Sequence, residues 1–135
     1  MKGRITPVYL NTLKPNQCFV FGSNTIGKHG KGAAKDALKW GAKYGQGVGL
    51  ARRTYGIPTK GNDMNKRLTI AQIKPYVDDF IRFAKANPRA EFLVTEIGCG
   101  LSGYKPKDIA PLFIEAKDIQ NIHLPYRFWH KILNS

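Results

Sequence analysis

Two short apolar runs, each followed at once by a glycine-rich segment, constrain the fold of this chain most strongly. The first run, QCFVF, occupies residues 17–21, and the second, EFLVT, occupies residues 91–95. Runs of this length with glycine directly behind them are typical of buried strands that lead into a loop. Helical patterns follow both loops, and strands that alternate with helices form a largely parallel sheet between helical layers. The sequence therefore predicts an α/β fold.

Capping and proline signals place the helices. Thr69 and Gln72 have the spacing of a capping box at the start of a helix. Pro75 is expected to kink or restart that helix, whereas Pro106 suits the first position of the next one. The predicted helices cover residues 33–43, 69 to about 87, and 106 to about 117; further strands end at residues 59–60 and cover 120–124, ahead of an aromatic tail.

The charge of the chain restricts its partners. Twenty-two Lys and Arg residues face nine Asp and Glu residues, which gives a formal net charge of +13. Such an excess is typical of proteins that meet nucleic acid, nucleotide phosphates or an anionic membrane surface, although a merely solvated surface is the alternative.

Length and composition indicate one intracellular domain. The 135 residues are expected to fold as a single domain spanning residues 1–135. The two cysteines lie in unlike contexts, the first ten residues contain no apolar signal segment, and no apolar run is long enough to span a membrane. We expect a cytoplasmic monomer that makes no membrane contact and carries neither a metal nor a cofactor.

The second glycine-rich segment contains a literal Gly-x-Gly-x-x-Gly over residues 98–103. A dinucleotide-binding fingerprint also requires an acid about 20 residues further on, at the end of the next strand. Asp118 lies near that distance but precedes the next predicted strand, so this interpretation is disfavoured. Glycines behind a strand still let backbone N–H groups approach phosphate oxygens. Residues 27–32 and 98–103 are therefore predicted to hold one diphosphate, with tight turns as the alternative reason for the glycines.

Three segments, taken in order along the chain, resemble macrodomains, the α/β/α modules that bind ADP-ribose. They are FVFGSN at residues 19–24, IPTK at 57–60 and IGCGL at 97–101. The resemblance is closest to a small phage and bacterial macrodomain-like family, and to the branch of terminal ADP-ribose glycohydrolases and of antitoxins that remove ADP-ribose from DNA. It covers residues 17–124 and implies a three-layer α/β/α fold with a largely parallel mixed sheet. The implied partner is ADP-ribose or an ADP-ribosylated acceptor.

The resemblance also implies site residues. In the glycohydrolase branch, the lysine that matches Lys60 attacks the anomeric carbon of the distal ribose, and the asparagine that matches Asn24 contacts that ribose. A lysine nucleophile is activated by desolvation or by a nearby cation, which Lys66 and Arg67 would supply if their loop folds back. The implied catalytic residues are Lys60 and Asn24. The implied ligand-binding residues are Gly22, Ser23, Asn24, Gly30, Lys31, Gly32, Thr59, Ile97, Gly98, Cys99, Gly100, Leu101, Ser102, Gly103 and Tyr104.

Two departures from the family pattern limit what the resemblance implies, and two further side chains of the loops have alternative interpretations. Ser102 occupies the place of an acid in the eukaryotic glycohydrolases, and residues 11–13 replace the Gly-Asp-Ile with which many macrodomains hold the adenine amino group. Turnover and adenine recognition therefore stay open. Cys99 is better explained as a small side chain packed beneath the loop than as a nucleophile, since no histidine has a motif-level pairing with it. His29 is either a phosphate contact, a proton carrier or polar surface.

Three functions fit the sequence. The first is an ADP-ribosyl glycohydrolase, and the second is a non-catalytic reader or sponge of ADP-ribose, which the serine at position 102 favours. The third is a nucleic-acid-binding protein that uses lysines spaced four residues apart on the first predicted helix. These lysines are Lys31, Lys35, Lys39 and Lys43.

Overall fold

A computed structural model describes residues 3–134 and contains a six-stranded mixed sheet with helices on both faces. The sheet order is β1-β6-β5-β2-β4-β3, and all neighbours pair in parallel except β3 and β4. The predicted three-layer α/β fold with a largely parallel sheet is confirmed. The strands are β1 Ile5–Thr6, β2 Gln17–Asn24, β3 Gly49–Ala51, β4 Thr54–Lys60, β5 Glu91–Val94 and β6 Ile122–Pro125.

Strand β2 explains how one sheet supports two cores. Its side chains alternate, so that Cys18 and Val20 pack on one face while Phe19 and Phe21 pack on the other. The larger core lies between the sheet and helices α2 Ile70–Ala86, α3 Pro106–Ile109 and α4 Tyr126–Leu133. The smaller core lies beneath α1 Gly32–Ala37.

The first helix is shorter than predicted. It ends at Ala37, and a 3-10 turn, Leu38–Trp40, follows before Gly41 adopts a left-handed φ of 106°. Lys31 precedes the helix as its N-cap residue, and Lys43 lies beyond Gly41. The prediction of one helix that carries a continuous row of four lysines is therefore wrong.

The second helix begins as predicted. The Thr69 hydroxyl accepts a hydrogen bond from the Gln72 backbone N–H, and the Gln72 side chain accepts one from the Thr69 N–H. The helix runs without a restart through Pro75 to Ala86. Its buried face, which includes Val77 and Phe80, fixes it on the sheet, because tertiary packing provides most of the stability of a helix in a protein.

The third predicted helix changes its geometry after one turn. It begins at Pro106, as expected, but from Ala110 to Asp118 it is a 3-10 helix, and Phe113 departs from helical angles. Pro111 lacks a backbone N–H and restricts the residue before it, which loosens the helix at this point.

The aromatic tail forms α4, an element that the sequence analysis did not assign. Phe128, Trp129 and Ile132 are buried, and the Trp129 indole N–H donates to the Arg4 carbonyl oxygen at 2.7 Å. The guanidinium of Arg4 lies 5.0 Å from the centre of the Trp129 ring. Strand β1, directly behind Arg4, is likewise an addition to the prediction. Within residues 3–134, no helix is long and apolar enough to cross a membrane.

Candidate functional site

The predicted site residues lie at the carboxyl ends of three adjacent strands. Asn24 ends β2, Lys60 ends β4, and the loop over residues 95–105 follows β5. Ser23 pairs with Pro58 and Asn24 with Lys60, and the register shifts between these two pairs. The parallel sheet therefore brings the first glycine-rich loop, the end of β4 and the second glycine-rich loop to one edge.

Three hydroxyl residues join these elements. The Oγ1 atom of Thr59 lies 2.8 Å from the Oγ atom of Ser102 and 3.4 Å from the carbonyl oxygen of Ser23. A hydroxyl donates one hydrogen bond and can accept others, so Thr59 can donate to Ser23 and accept from Ser102. The serine that replaces the expected acid thus holds the second loop against β4.

The start of the second loop lies directly against the end of β2. A Cβ atom on Gly22 would be 3.3 Å from the backbone nitrogen of Gly98 and 3.6 Å from the Cα atom of Ile97. The Ile97 side chain is buried, and Gly98 has a φ of +76°. Gly22, Ile97 and Gly98 therefore shape the site from beneath.

Four other glycines leave the edge of the site open. No described atom lies within 4 Å of a Cβ placed on Gly30 or Gly100, and neither residue has a left-handed φ. A Cβ on Gly32 would meet only the Leu101 side chain, at 3.8 Å, which shows that the two loops approach each other here. On Gly103 it would meet Arg67, also at 3.8 Å. The fold itself gives no reason for glycine at positions 30 and 100.

A third glycine cluster, residues 45–49, supports the first loop. A Cβ on Gly47 would overlap the carbonyl oxygen of Asn24, and a Cβ on Gly27 would overlap the backbone of residues 45 and 46. The hydroxyl of Ser23 donates to the Gly47 carbonyl oxygen. The sequence analysis missed this supporting role, for which the alternating glycines of GQGVG were the available signal, because glycine in extended chain often marks close backbone approach.

Asn24 closes the first loop. Its side-chain nitrogen donates to the Lys28 carbonyl oxygen at 2.7 Å, and its side-chain oxygen accepts from the Lys28 N–H at 2.8 Å. The residue is buried. One amide proton and one oxygen lone pair are left over for another partner, so the side chain first fixes the loop and then has limited capacity for a ligand.

Lys60 lies at the last position of β4 and is partly exposed. Its carbonyl oxygen accepts from the Thr25 N–H at 3.0 Å. The loop over residues 61–67 does fold back, because Arg67 pairs with Lys60 in an antiparallel bridge. The lysine is thus held between the first loop and the returning segment.

Arg67 connects that returning segment to the second loop, a role that the predicted residue set does not include. Its guanidinium lies 3.9 Å from the centre of the Tyr104 ring and donates to the Ser102 carbonyl oxygen at 3.5 Å. The Tyr104 hydroxyl in turn donates to the Leu68 carbonyl oxygen at 2.5 Å. Tyr104 is therefore a support of the loop, and Arg67 covers it.

His29 is buried and packs between aromatic rings. Its ring centre lies 5.6 Å from that of Phe21 and 5.7 Å from that of Tyr44. The Nε2 atom lies 2.6 Å from the Lys43 carbonyl oxygen and 3.0 Å from that of Gln46, so it carries the proton and donates. His29 therefore joins the first loop to the segment behind it instead of offering a surface proton carrier.

Cys99 is a protonated thiol. Burial, and to a lesser degree the negative charge of Glu96, raise the pKa of the Cys99 thiol from 9.0 to about 11. The thiol points at the Ile97 carbonyl oxygen at 3.5 Å. A raised pKa leaves little thiolate near neutral pH, which argues against Cys99 as a nucleophile.

The reactivity of Cys99 follows from this pKa. At pH 8 its thiolate fraction is about one hundredth of that of a cysteine with the ordinary value of 9.0. We expect iodoacetamide to alkylate it about 100-fold more slowly than a free cysteine, and faster as the pH rises toward 11. Peptide mass spectrometry over time measures this rate, and rapid alkylation at pH 7 would contradict the assignment. A Cys99→Ser control retains Cys18, whose pKa burial raises to about 12.

No group of three or more His, Cys, Asp or Glu side chains in residues 3–134 has an arrangement that could hold a metal ion. At the carboxyl edge of β2, β4 and β5, the structure brings together the hydroxyls of Thr59 and Ser102, the amide of Asn24, the cations of Lys60 and Arg67, and the glycines of the two loops. Such a set can bind an anionic ligand through backbone N–H groups and cations.

Comparison with known proteins identifies the fold. No protein-family model and no curated protein matches the sequence. Among solved structures, the macrodomain of Mycobacterium tuberculosis DarG is similar with a TM-score of 0.64 and 17% identity, over 90% of this chain and 95% of that chain. A Bacteroides thetaiotaomicron protein of unknown function matches with a TM-score of 0.55 and 17% identity, over 81% and 86%.

A third similar structure is Thermosipho africanus DarTG in complex with ADP-ribose, with a TM-score of 0.55 and 18% identity. The match covers 82% of this chain but only 38% of that longer one. The chain has the macrodomain fold.

Proposed function

We propose that this protein binds ADP-ribose at the carboxyl edge of β2, β4 and β5. The observation that carries the proposal is the pair of glycine-rich loops that meet at Gly32 and Leu101, with the open glycines Gly30 and Gly100 beside them. A diphosphate needs backbone N–H groups at close range, and glycine lets them approach. The similar DarTG structure holds ADP-ribose, which supports the same ligand here.

The charge around these loops favours the diphosphate. Lys31 is exposed between Gly30 and Gly32, and Arg67 lies beside the second loop. Exposed cations near a cleft raise the local concentration of an anionic ligand and speed its association. Gly32 also begins α1, although the helix is only six residues long and the loops contribute most of the donors.

The finer part of the proposal is that Lys60 releases ADP-ribose from a protein or nucleic-acid acceptor. The Lys60 amine attacks the anomeric carbon of the distal ribose through its nitrogen lone pair. The bond from that carbon to the acceptor breaks with its electron pair, and the proton that the attacking nitrogen releases goes to the acceptor. Water then adds to the sugar adduct, which frees the amine and releases ADP-ribose. The position of Lys60 beside the first loop supports this assignment.

A non-catalytic reader or sponge of ADP-ribose is the second candidate, and one observation favours it. The Ser102 hydroxyl is engaged with Thr59, and Glu96, the carboxylate of the loop over residues 95–105, is held in an ion pair with Arg127. A binding module needs only the loops and not the acid. The two candidates share the ligand and differ in whether Lys60 is required for anything beyond binding.

Gly30→Ala and Gly100→Ala test the binding site itself. Each adds one methyl group where the fold has room for it, so we expect thermal stability to be unchanged or raised, since alanine reduces the entropy of the unfolded chain. A methyl group in the path of the diphosphate costs about 1–3 kcal/mol. ADP-ribose affinity should therefore fall by about 5- to 150-fold in calorimetry.

The diagnostic result is a lower affinity for ADP-ribose in Gly30→Ala and Gly100→Ala without a loss of thermal stability. Affinity unchanged in both variants would place the ligand elsewhere. Absence of any heat when the wild-type protein is titrated with millimolar ADP-ribose would overturn the reader and the hydrolase together.

A further inference from the structure

A basic groove lies next to the second loop, on the side away from β4. It has a volume of about 610 Å³, and it lies between the start of α3 and the outer face of α4. Among the described residues that line it, none is acidic. The residues that matter for the argument are Lys105, Lys107, Tyr126, Arg127, His130 and Lys131.

Helix α4 presents this groove rigidly. Its side chains at positions 128, 129 and 132 are buried, so the intervening positions point outward. The indole N–H of Trp129 anchors the helix on Arg4. The backbone that carries Tyr126, Arg127, His130 and Lys131 is therefore fixed on the core.

The positive charge of the groove is largely uncompensated. Arg127 forms a two-pronged ion pair with Glu96, at 2.6 and 2.5 Å. The ion pairs of the described residues do not include Lys105, Lys107 or Lys131, and all three are exposed. Arg127 thus fixes the groove to the start of the second loop, while the three lysines are available to an anion.

Tyr126 adds a flat apolar surface to these cations. Its side chain is 61% exposed, although tyrosine usually covers part of its ring. The His130 ring lies 6.1 Å away at an angle of 31°, which supports the tyrosine from one side. A platform of this kind stacks with bases, and flanking lysines neutralise phosphates.

We propose that this groove binds single-stranded nucleic acid, with Tyr126 stacking on a base and Lys105, Lys107 and Lys131 contacting phosphates. Unstacked bases are accessible in a single strand and not in a duplex, so the exposed ring favours the single strand. The predicted row of lysines around α1 also has an exposed ring beside it, Tyr44, which lies 5.7 Å from the buried His29 ring. That surface therefore serves as the matched comparison for this groove. This inference does not depend on the proposed ADP-ribose site, because the groove shares no residue with the glycine-rich segments at 27–32 and 98–103, although Lys105 ends the second loop.

Fluorescence anisotropy with a labelled, single-stranded oligothymidylate of 15 nucleotides tests the proposal. We expect Tyr126→Ala to weaken binding about tenfold, since stacking accounts for most of the affinity of one base. The triple variant Lys105→Ala, Lys107→Ala, Lys131→Ala should reduce the magnitude of the slope of log affinity against log salt concentration by about 2. Each phosphate contact in a single strand contributes about 0.7 to that slope.

Two matched controls separate the groove from general charge and exposure. The triple variant Lys35→Ala, Lys39→Ala, Lys43→Ala removes the same charge elsewhere, and Tyr9→Ala removes another exposed ring; both should bind within about threefold of wild type. Circular dichroism melting confirms that each variant folds.

Four results would overturn the proposal. One is a Tyr126→Ala variant that binds the oligonucleotide within twofold of wild type. Another is equal weakening by the control lysines. The third is competition by polyglutamate as effective as that by oligothymidylate at equal charge, which would assign the groove to an acidic protein. The fourth is equal binding of a duplex, which would assign it to general electrostatics.

Discussion

Gly47→Ala is expected to destabilise the fold more than any other single methyl addition considered. The added Cβ would overlap the carbonyl oxygen of Asn24, which is backbone and cannot rotate away. The Gly47 carbonyl also accepts from Ser23 and lies against Gly56, so both sides of the segment are fixed. We expect a loss of about 3–5 kcal/mol in the free energy of unfolding, out of a total of about 5–15 kcal/mol.

Thermal melting measures this effect, and a fall of about 10–20 °C in Tm is expected. Gly45→Ala is the matched control from the same cluster. Its Cβ would meet no described atom within 4 Å, and its φ of +89° adds only backbone strain of about 1 kcal/mol. Equal Tm values for the two variants would show that residues 45–49 do not support the first loop.

Lys60→Ala is expected to abolish release of ADP-ribose while binding is retained. Without the amine no covalent adduct can form, so the rate of release from ADP-ribosylated DNA or protein should fall by at least about 1,000-fold. The affinity for free ADP-ribose should change by no more than about threefold, because glycine loops and not the lysine hold the diphosphate. Single-turnover release assays and calorimetry measure the two quantities separately.

Lys14→Ala is the control for Lys60. It removes the same charge from an exposed position ahead of β2, at the opposite end of that strand from Asn24. Release by Lys60→Ala at the wild-type rate would remove the lysine from the mechanism. Binding by wild type with no release from either substrate would establish the reader in place of the hydrolase.

Local signals predicted the elements whose reasons are local. The capping box at Thr69, the apolar run behind Gln17 and the proline at position 106 all act within a few residues, and each element begins where it was expected. The points at which the helices end were harder to predict. The first helix tightens to a 3-10 turn after Ala37, and Gly41 ends that turn. The third helix becomes a 3-10 helix at Ala110, next to Pro111, because backbone geometry at one residue outweighs the apolar spacing around it.

The candidate site, like the fold, has features that the sequence predicts and features that it does not. The alternation of strands and helices was sufficient to predict that the two glycine-rich loops share one edge, whereas Asn24 and Lys60 were implied by the resemblance; the pairing of the strands brings all four to that edge. Contacts between the loops were not predictable from spacing. Nothing in the sequence near Ser102 indicates its contact with Thr59, since the two residues are 43 positions apart. The closure of the Asn24 amide on Lys28 is a local contact over four residues, of the kind that asparagine makes in turns.

The edges of the sheet have a consequence for how the protein behaves at high concentration. Strand β1 has two residues and β3 has three, and these are the two outermost strands. Long open edges are templates on which a strand of another molecule can add, and short ones offer few unpaired backbone groups. Both edges of the sheet therefore offer few unpaired backbone N–H and C=O groups to a strand of another molecule. This protects the protein against aggregation by strand addition.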